Sequence, residues 1–205
     1  MIRVLHNRAE SRADPSEHGD LRALVRAALE AVGPGRVVTR LAVNACEIPE
    51  PDPERLAGFP LDQVDEVAIE SRTAAEVALS SLESAAEYSE RVEAALVRAA
   101  DLFRAGHLDR ANELCADAAD ALGVILYVGS GAAIALGPPG ERLRSLGDGL
   151  APWLDSVVRA QEQYDWLRVA DCLEYEVAPR VGELRAAMHE ALRRAAPCAE
   201  TGRGA

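Results

Sequence analysis

Between Thr73 and Ile125 the apolar residues fall three or four apart, and this spacing restricts the fold more than any other feature of the chain. In the first part, Ala75, Leu79, Leu82, Ala86, Val92, Leu96, Ala99 and Phe103 make one stripe, interrupted only by Ser89. Glu76, Glu83, Glu87, Glu90, Arg91, Arg98 and Arg104 take the other side, as an amphipathic helix requires. Thr73 and Glu76 form a capping box at its start, hydroxyl and carboxylate each taking an orphan amide of the first turn. Gly106 marks the stop, since a residue without Cβ ends a helix at least cost. A second stripe runs Leu108, Ala111, Cys115, Ala118, Leu122, Ile125. Two amphipathic helices with so short a link fold back as an antiparallel hairpin.

Two further stripes follow. Leu143, Leu146, Leu150, Trp153 and Val157 form the third; Trp166, Ala170, Leu173, Val177, Leu184, Met188 and Leu192 form the fourth. Pro179 lies inside the fourth and predicts a kink or a new helix there, having no amide proton to give. Four stripes with three connections are what a four-helix bundle needs. Before Thr73 the pattern differs. Ile2 and Val4 begin a brief strand, and a polar segment through Asp14-Pro15 reads as a loop. Leu21 to Val32 form a short helix stopped by Gly33-Pro34-Gly35. Val37 to Val43 then alternate as a strand, with a tight turn at Asn44-Ala45 towards Cys46 to Ile48. Pro49, Pro51, Pro53 and Pro60 keep the next stretch irregular, and Val64 to Ile69 make another strand. The expected fold is mainly α: a four-helix-bundle-like body (residues 71–196) behind a small N-terminal α+β unit (1–70), with a disordered tail (197–205).

Composition excludes several functions. Acidic residues outnumber basic ones 34 to 22, giving a formal charge of -12. Nucleic acid and anionic membranes are both bound first by positive charge, so neither is an expected partner. There is no lysine, which rules out a lysine Schiff base and the Walker phosphate lysine. Cys46, Cys115, Cys172 and Cys198 are scattered without a CxxC pair and read as free thiols. Met1 to Leu5 turns polar too soon for a signal peptide, so the expected location is cytoplasmic. The most apolar run, Ala121 to Leu136, falls short of a membrane span and is broken by glycines, which predicts a buried helix or helix end.

The candidate chemical motifs dissolve on inspection. Gly137-Pro138-Pro139-Gly140 lacks the lysine and Ser/Thr of a phosphate loop and reads as an interhelix loop. His189-Glu190 begins like a zinc-protease helix, but Arg193 stands where the second histidine is needed. The carboxylate faces Glu83, Glu87, Glu90 and Glu113, Asp117, Asp120 lack the Glu-x-x-His of di-iron bundles and read as solvated. No catalytic, cofactor or metal-binding residue is assigned. Residues 164–179 gather aromatic and acidic side chains, and Trp166, Asp171, Glu174 and Tyr175 are the candidate partner-binding residues. The competing reading is that Trp166 and Tyr175 fill a core otherwise built of alanine and leucine.

That segment, Asp165-Trp166-Leu167-Arg168-Val169-Ala170-Asp171-Cys172-Leu173-Glu174-Tyr175-Glu176-Val177-Ala178-Pro179, resembles a phrase, Leu-Ala-Asp-x-Leu-Glu-Tyr-Glu-Leu then proline, of uncharacterised bacterial proteins that join a small α+β unit to helices. Valine stands here at 169 and 177 in place of leucine, and the resemblance implies no known activity. Leu96 to Leu122, centred on Arg104-Ala-Gly-His-Leu-Asp-Arg-Ala-Asn-Glu-Leu114, is similar to the helical hairpin of flagellin-specific export chaperones, which hold an extended partner segment in the cytoplasm. The N-terminal unit and the tryptophan-bearing helices depart from that family. The expected function is a non-enzymatic bacterial adaptor or chaperone-like protein linked to motility or export, binding another protein or itself as a homodimer. The alternative is a small-molecule sensor or enzyme with a pocket around Trp166, Asp171, Glu174 and Tyr175.

Overall fold

The computed structural model describes residues 1–49 and 53–195; Pro51, Cys198 and the tail at 197–205 lie outside them. The chain divides into two compact units, Met1–Glu76 and a second that begins at Val77.

The first unit is a five-stranded sheet with a helix. Its strands are β1 (Ile2–His6), β2 (Ala9–Ala13), β3 (Arg36–Val43), β4 (Cys46–Glu47) and β5 (Glu66–Thr73), in the order β2-β1-β5-β3-β4. β1 and β5 run parallel and the other neighbours antiparallel. The period of two sends Ile2 and Val4 of β1, Val67 and Ile69 of β5, and Leu41 and Val43 of β3 into one core with Leu21, Leu24 and Val25 of α1 (Leu21–Val32). Asp20 caps α1 by accepting from the Ala23 amide at 2.7 Å. A short helix, α2, spans Pro53–Ala57.

Two hairpin turns hold the central strand. Asn44 (φ 49°) and Ala45 (φ 63°) both take the left-handed conformation of a two-residue turn, joining β3 to β4 as expected. Asn7 (φ 48°) and Arg8 (φ 72°) do the same between β1 and β2. The segment read as a loop after Val4 is therefore partly strand. Its residues Ala9 to Arg12 are exposed, so no alternation betrayed it. Each asparagine also reaches β5. Asn7 Oδ1 accepts from the Ser71 amide at 2.9 Å, while its Nδ2 donates to the Ser71 carbonyl at 3.1 Å. Asn44 Oδ1 accepts from the amides of Asp65 and Glu66 at 2.9 and 3.0 Å, and its Nδ2 donates to the Gln63 carbonyl at 2.8 Å.

The second unit is helical. α3 (Ala74–Arg104) starts at the predicted capping box: the Glu76 amide donates to Thr73 Oγ1 at 3.1 Å, and the Thr73 amide to Glu76 Oε2 at 2.7 Å. Gly106, at φ 76°, reverses the chain into α4 (Leu108–Leu136). The predicted stripes meet: Leu82, Ala86, Val92, Leu96, Ala99 and Phe103 share a core with Ala111, Cys115, Ala118, Leu122 and Ile125.

The third stripe is two helices, α5 (Pro138–Asp148) and α6 (Ala151–Glu162), broken at Gly149-Leu150. The Gly-Pro-Pro-Gly stretch is not a loop. Gly137 (φ 65°) ends α4, and both prolines sit in the first turn of α5, where a missing amide proton costs nothing. Gly140 then lets α5 lie directly on α4, since a Cβ there would fall 2.2 Å from the Ala132 carbonyl oxygen. The fourth stripe is a continuous helical run: α7 (Trp166–Asp171), a π-helical turn (Cys172–Val177) and α8 (Ala178–Ala195). The Ala178 amide bonds back five residues to the Leu173 carbonyl. Pro179 stands in the first turn of α8, so the interruption it predicts takes the form of a wide turn just before it.

Candidate functional site

The four residues singled out at the C-terminal end do come together, and they gather around the last turn of α3. The half-buried Trp166 ring stacks on Phe103, centroids 5.5 Å apart and planes at 4°, and Tyr164 meets its edge at 5.9 Å. The next residue, Arg104, donates to Asp171 Oδ1 at 2.9 Å and to Glu174 Oε2, with its guanidinium 5.7 Å from the Tyr175 ring centre. Asp171 first, then Glu174, push the Arg104 pKa up, so its charge is fixed. Both carboxylates are thus engaged by one cation, and the arrangement fastens the π turn to α3. On the outward side Tyr164, Leu167 and Tyr175 remain 77, 65 and 62% exposed. Arg180 works alongside: it donates to the Glu176 carbonyl at 2.7 Å and lies 4.5 Å over the Trp153 ring.

A Ser–His pair lies in the first unit. His6 Nε2 is 2.6 Å from Ser71 Oγ, and Arg36 Nε donates to that oxygen at 2.8 Å. A base, a hydroxyl and a cation at hydrogen-bond distance are the parts of an activated nucleophile. Ser71 is only 3% exposed, however, and its backbone is held by Asn7 and Arg36, so substrate has no approach to the oxygen. His6 Nδ1 is buried without a partner, so no third group orients the ring. The cluster ties β1, β3 and β5 together. Period-two patterning puts His6 on the buried face of β1, but its pairing with Ser71 arises only when β1 and β5 lie in register.

Among the described residues, no three His, Cys, Asp or Glu side chains converge to hold a metal. Arg142 and Arg194 both engage Glu190, and Arg185 engages Glu93 at 3.0 Å.

The feature that sequence reasoning misjudged is the second half of α4. Ala121 to Leu136 is not buried throughout: Val124, Tyr127 and Ile134 are 60, 81 and 90% exposed. The run itself is sixteen residues, short of a span. The whole of α4 is long and apolar enough by length and composition to cross a membrane (mean hydropathy 1.7 over its best window), a test that the core helix of a soluble protein also passes. In this fold its other face, with Leu122, Ile125 and Ala132, lies in the protein core. Alongside, Ser80, Ser81, Ser84 and Tyr88 of α3 line a groove of about 470 Å³ with Val124, Ile125 and Val128. Glu83 and Glu87 stand exposed on α3 at the same level, which a hydrocarbon environment would penalise. The signal was present as sixteen consecutive uncharged residues, but apolarity alone does not separate a buried face from a docking one.

No curated protein and no solved structure matches the chain. The groove, the π turn and most of the helical unit fall within residues 80–187, more than half of the chain, which match the model of one family. The chain therefore belongs to the family described as Domain of unknown function (DUF8042).

Proposed function

We infer that the protein is a non-enzymatic protein-binding module, an adaptor or chaperone-like helical protein. One observation carries the reading: α4 holds Val124, Tyr127 and Ile134 in water beside an apolar groove, on a segment without a single charge. The exposed side chains, with Tyr88 at 45%, leave on the order of 500 Å² of apolar surface, at the upper end for a monomer's largest patch. Such a face is stabilised by covering it, and a helix or extended segment laid in the α3–α4 groove would do so. Motility and export enter only through the resemblance of Leu96–Leu122 to flagellin-specific export chaperones. A bacterial origin is supported also by the likeness of residues 165–179 to uncharacterised bacterial proteins, and a cytoplasmic location by the scattered cysteines. The small-molecule alternative is the weaker reading, because Trp166, Asp171 and Glu174 already engage Phe103 and Arg104.

The test is quantitative capture from the host lysate, comparing the natural chain with Ile134→Glu. A stoichiometric protein retained by the former and lost by the latter is the expected result. Equal retention by both would remove the α4 face from the account.

A further inference from the structure

We propose that the occupant of the α3–α4 face is a second copy of this chain, paired about a two-fold axis through the second half of α4. The proposal deepens the protein-binding reading and rests on it.

Three observations point to self-pairing. The first is shape. Tyr127 and Ile134 lie two turns apart and project as a ridge, at 81 and 90% exposure. The groove lined by Ser80, Ser84, Tyr88, Val124 and Val128 runs along the flank of α4 next to that ridge, on the side towards α3. A surface that carries both a ridge and the groove to receive it is self-complementary, which is what a two-fold interface demands. The second is area. A standard interface buries about 800 Å² per partner. The roughly 500 Å² of exposed apolar side chain, extended by the exposed Ser80, Ser84, Gly123, Ser130 and Gly131, reaches that range. The third is charge. The chain carries -12, so two copies repel wherever their carboxylates approach. Ala121 to Leu136 is a stretch on which two α4 helices can meet without bringing like charges together. A different protein would find no charge to recognise on this stretch of α4, Glu83 and Glu87 standing only on the α3 side of the groove.

The experiment is sedimentation equilibrium of the full chain under reducing conditions, from about 1 to 200 μM, which covers the weak end of the affinities that interfaces of this size show. The expected result is a concentration-dependent dimer that tightens as salt rises, because salt screens the repulsion and leaves apolar contact intact. Ile134→Glu and Tyr127→Glu should each raise the dissociation constant at least about tenfold. Both side chains are solvent-exposed, so neither change disturbs the core, and far-UV circular dichroism checks that. Leu167→Glu, on the other exposed patch, should leave the dimer unchanged. A dimer indifferent to Ile134→Glu overturns the proposal. So does a strict monomer; if that monomer still captures a lysate protein through Ile134, only self-pairing fails, and if it captures none, the protein-binding reading fails with it.

Discussion

Gly140→Ala tests the closest approach in the helical unit. A Cβ at this position would stand 2.2 Å from the Ala132 carbonyl oxygen and 2.4 Å from the Ala133 Cα. Unstrained contacts lie at about 3.5 Å, so the methyl is more than about 1 Å too close. Both obstacles are backbone, so no side chain can swing aside. α5 must then lift from α4, loosening Leu143 and Leu150, which are 1 and 0% exposed. Overpacking of this kind costs about 1–3 kcal/mol, and a clash with backbone belongs near the top of that range. Alanine in place of helical glycine returns about 0.5–1 kcal/mol. The net expectation is a loss of about 2 kcal/mol, which at a urea slope of about 2 kcal/mol/M lowers the denaturation midpoint by about 1 M. Two controls grade the effect. Gly147→Ala meets only the end of the Leu126 side chain at 2.9 Å and should be close to neutral. Gly123→Ala meets nothing within 4 Å and should stabilise by about 0.5–1 kcal/mol. A Gly140→Ala chain as stable as the natural one would refute the close seating of α5 on α4.

Three other outcomes follow from local chemistry. Asn44→Ala removes three hydrogen bonds to Gln63, Asp65 and Glu66, where the chain enters β5, and puts alanine at φ 49°; a loss of about 2 kcal/mol is expected in urea, and an unchanged midpoint would contradict the clamp. The Thr73 amide and hydroxyl hold the Glu76 carboxyl below its ordinary value of 4.5. Its folded pKa is thus below the unfolded one, so its contribution is complete above about 4.5 and disappears as pH falls through the folded value. The stability difference between the natural chain and Glu76→Gln, followed from neutral pH to pH 3, should therefore move against the natural chain in acid; a constant difference would contradict the cap. In a Cys198→Ser background, the exposed Cys46 should react with a thiol reagent at once. Cys115, whose thiol burial pushes up, and the buried Cys172 should react only on unfolding, and fast labelling of either would contradict their placement.

What was legible in the sequence was what short-range chemistry decides. Thr73 and Glu76 are three residues apart and need no tertiary context to cap α3. Gly106 and the paired stripes before and after it specify a hairpin by spacing alone, and Asn44-Ala45 marks a turn between alternating segments. β2 was missed because Ala9 to Arg12 is exposed and polar, which leaves an edge strand without alternation; the signal was Asn7, a residue that tolerates the left-handed region. Pro179 announced an interruption but not its π form. Arg104 and its carboxylates are 67 and 70 residues apart, so only the packed bundle could pair them. The exposed half of α4 shows the limit most plainly. Val124, Tyr127 and Ile134 carry the same apolar signature as Leu122 and Ile125, and which face meets water depends on where α3 and α5 lie.

Protein binding by this chain requires that the uncharged face of α4 be covered by protein in the cell. The most direct measurement places a photo-crosslinking amino acid at Ile134, and at Arg91 as an exposed control, in the full chain in its own host. A covered face gives one discrete adduct from position 134 and none from 91, its mass identifying a second copy or another protein. Irradiation that yields no adduct at 134 beyond that at 91 would contradict it.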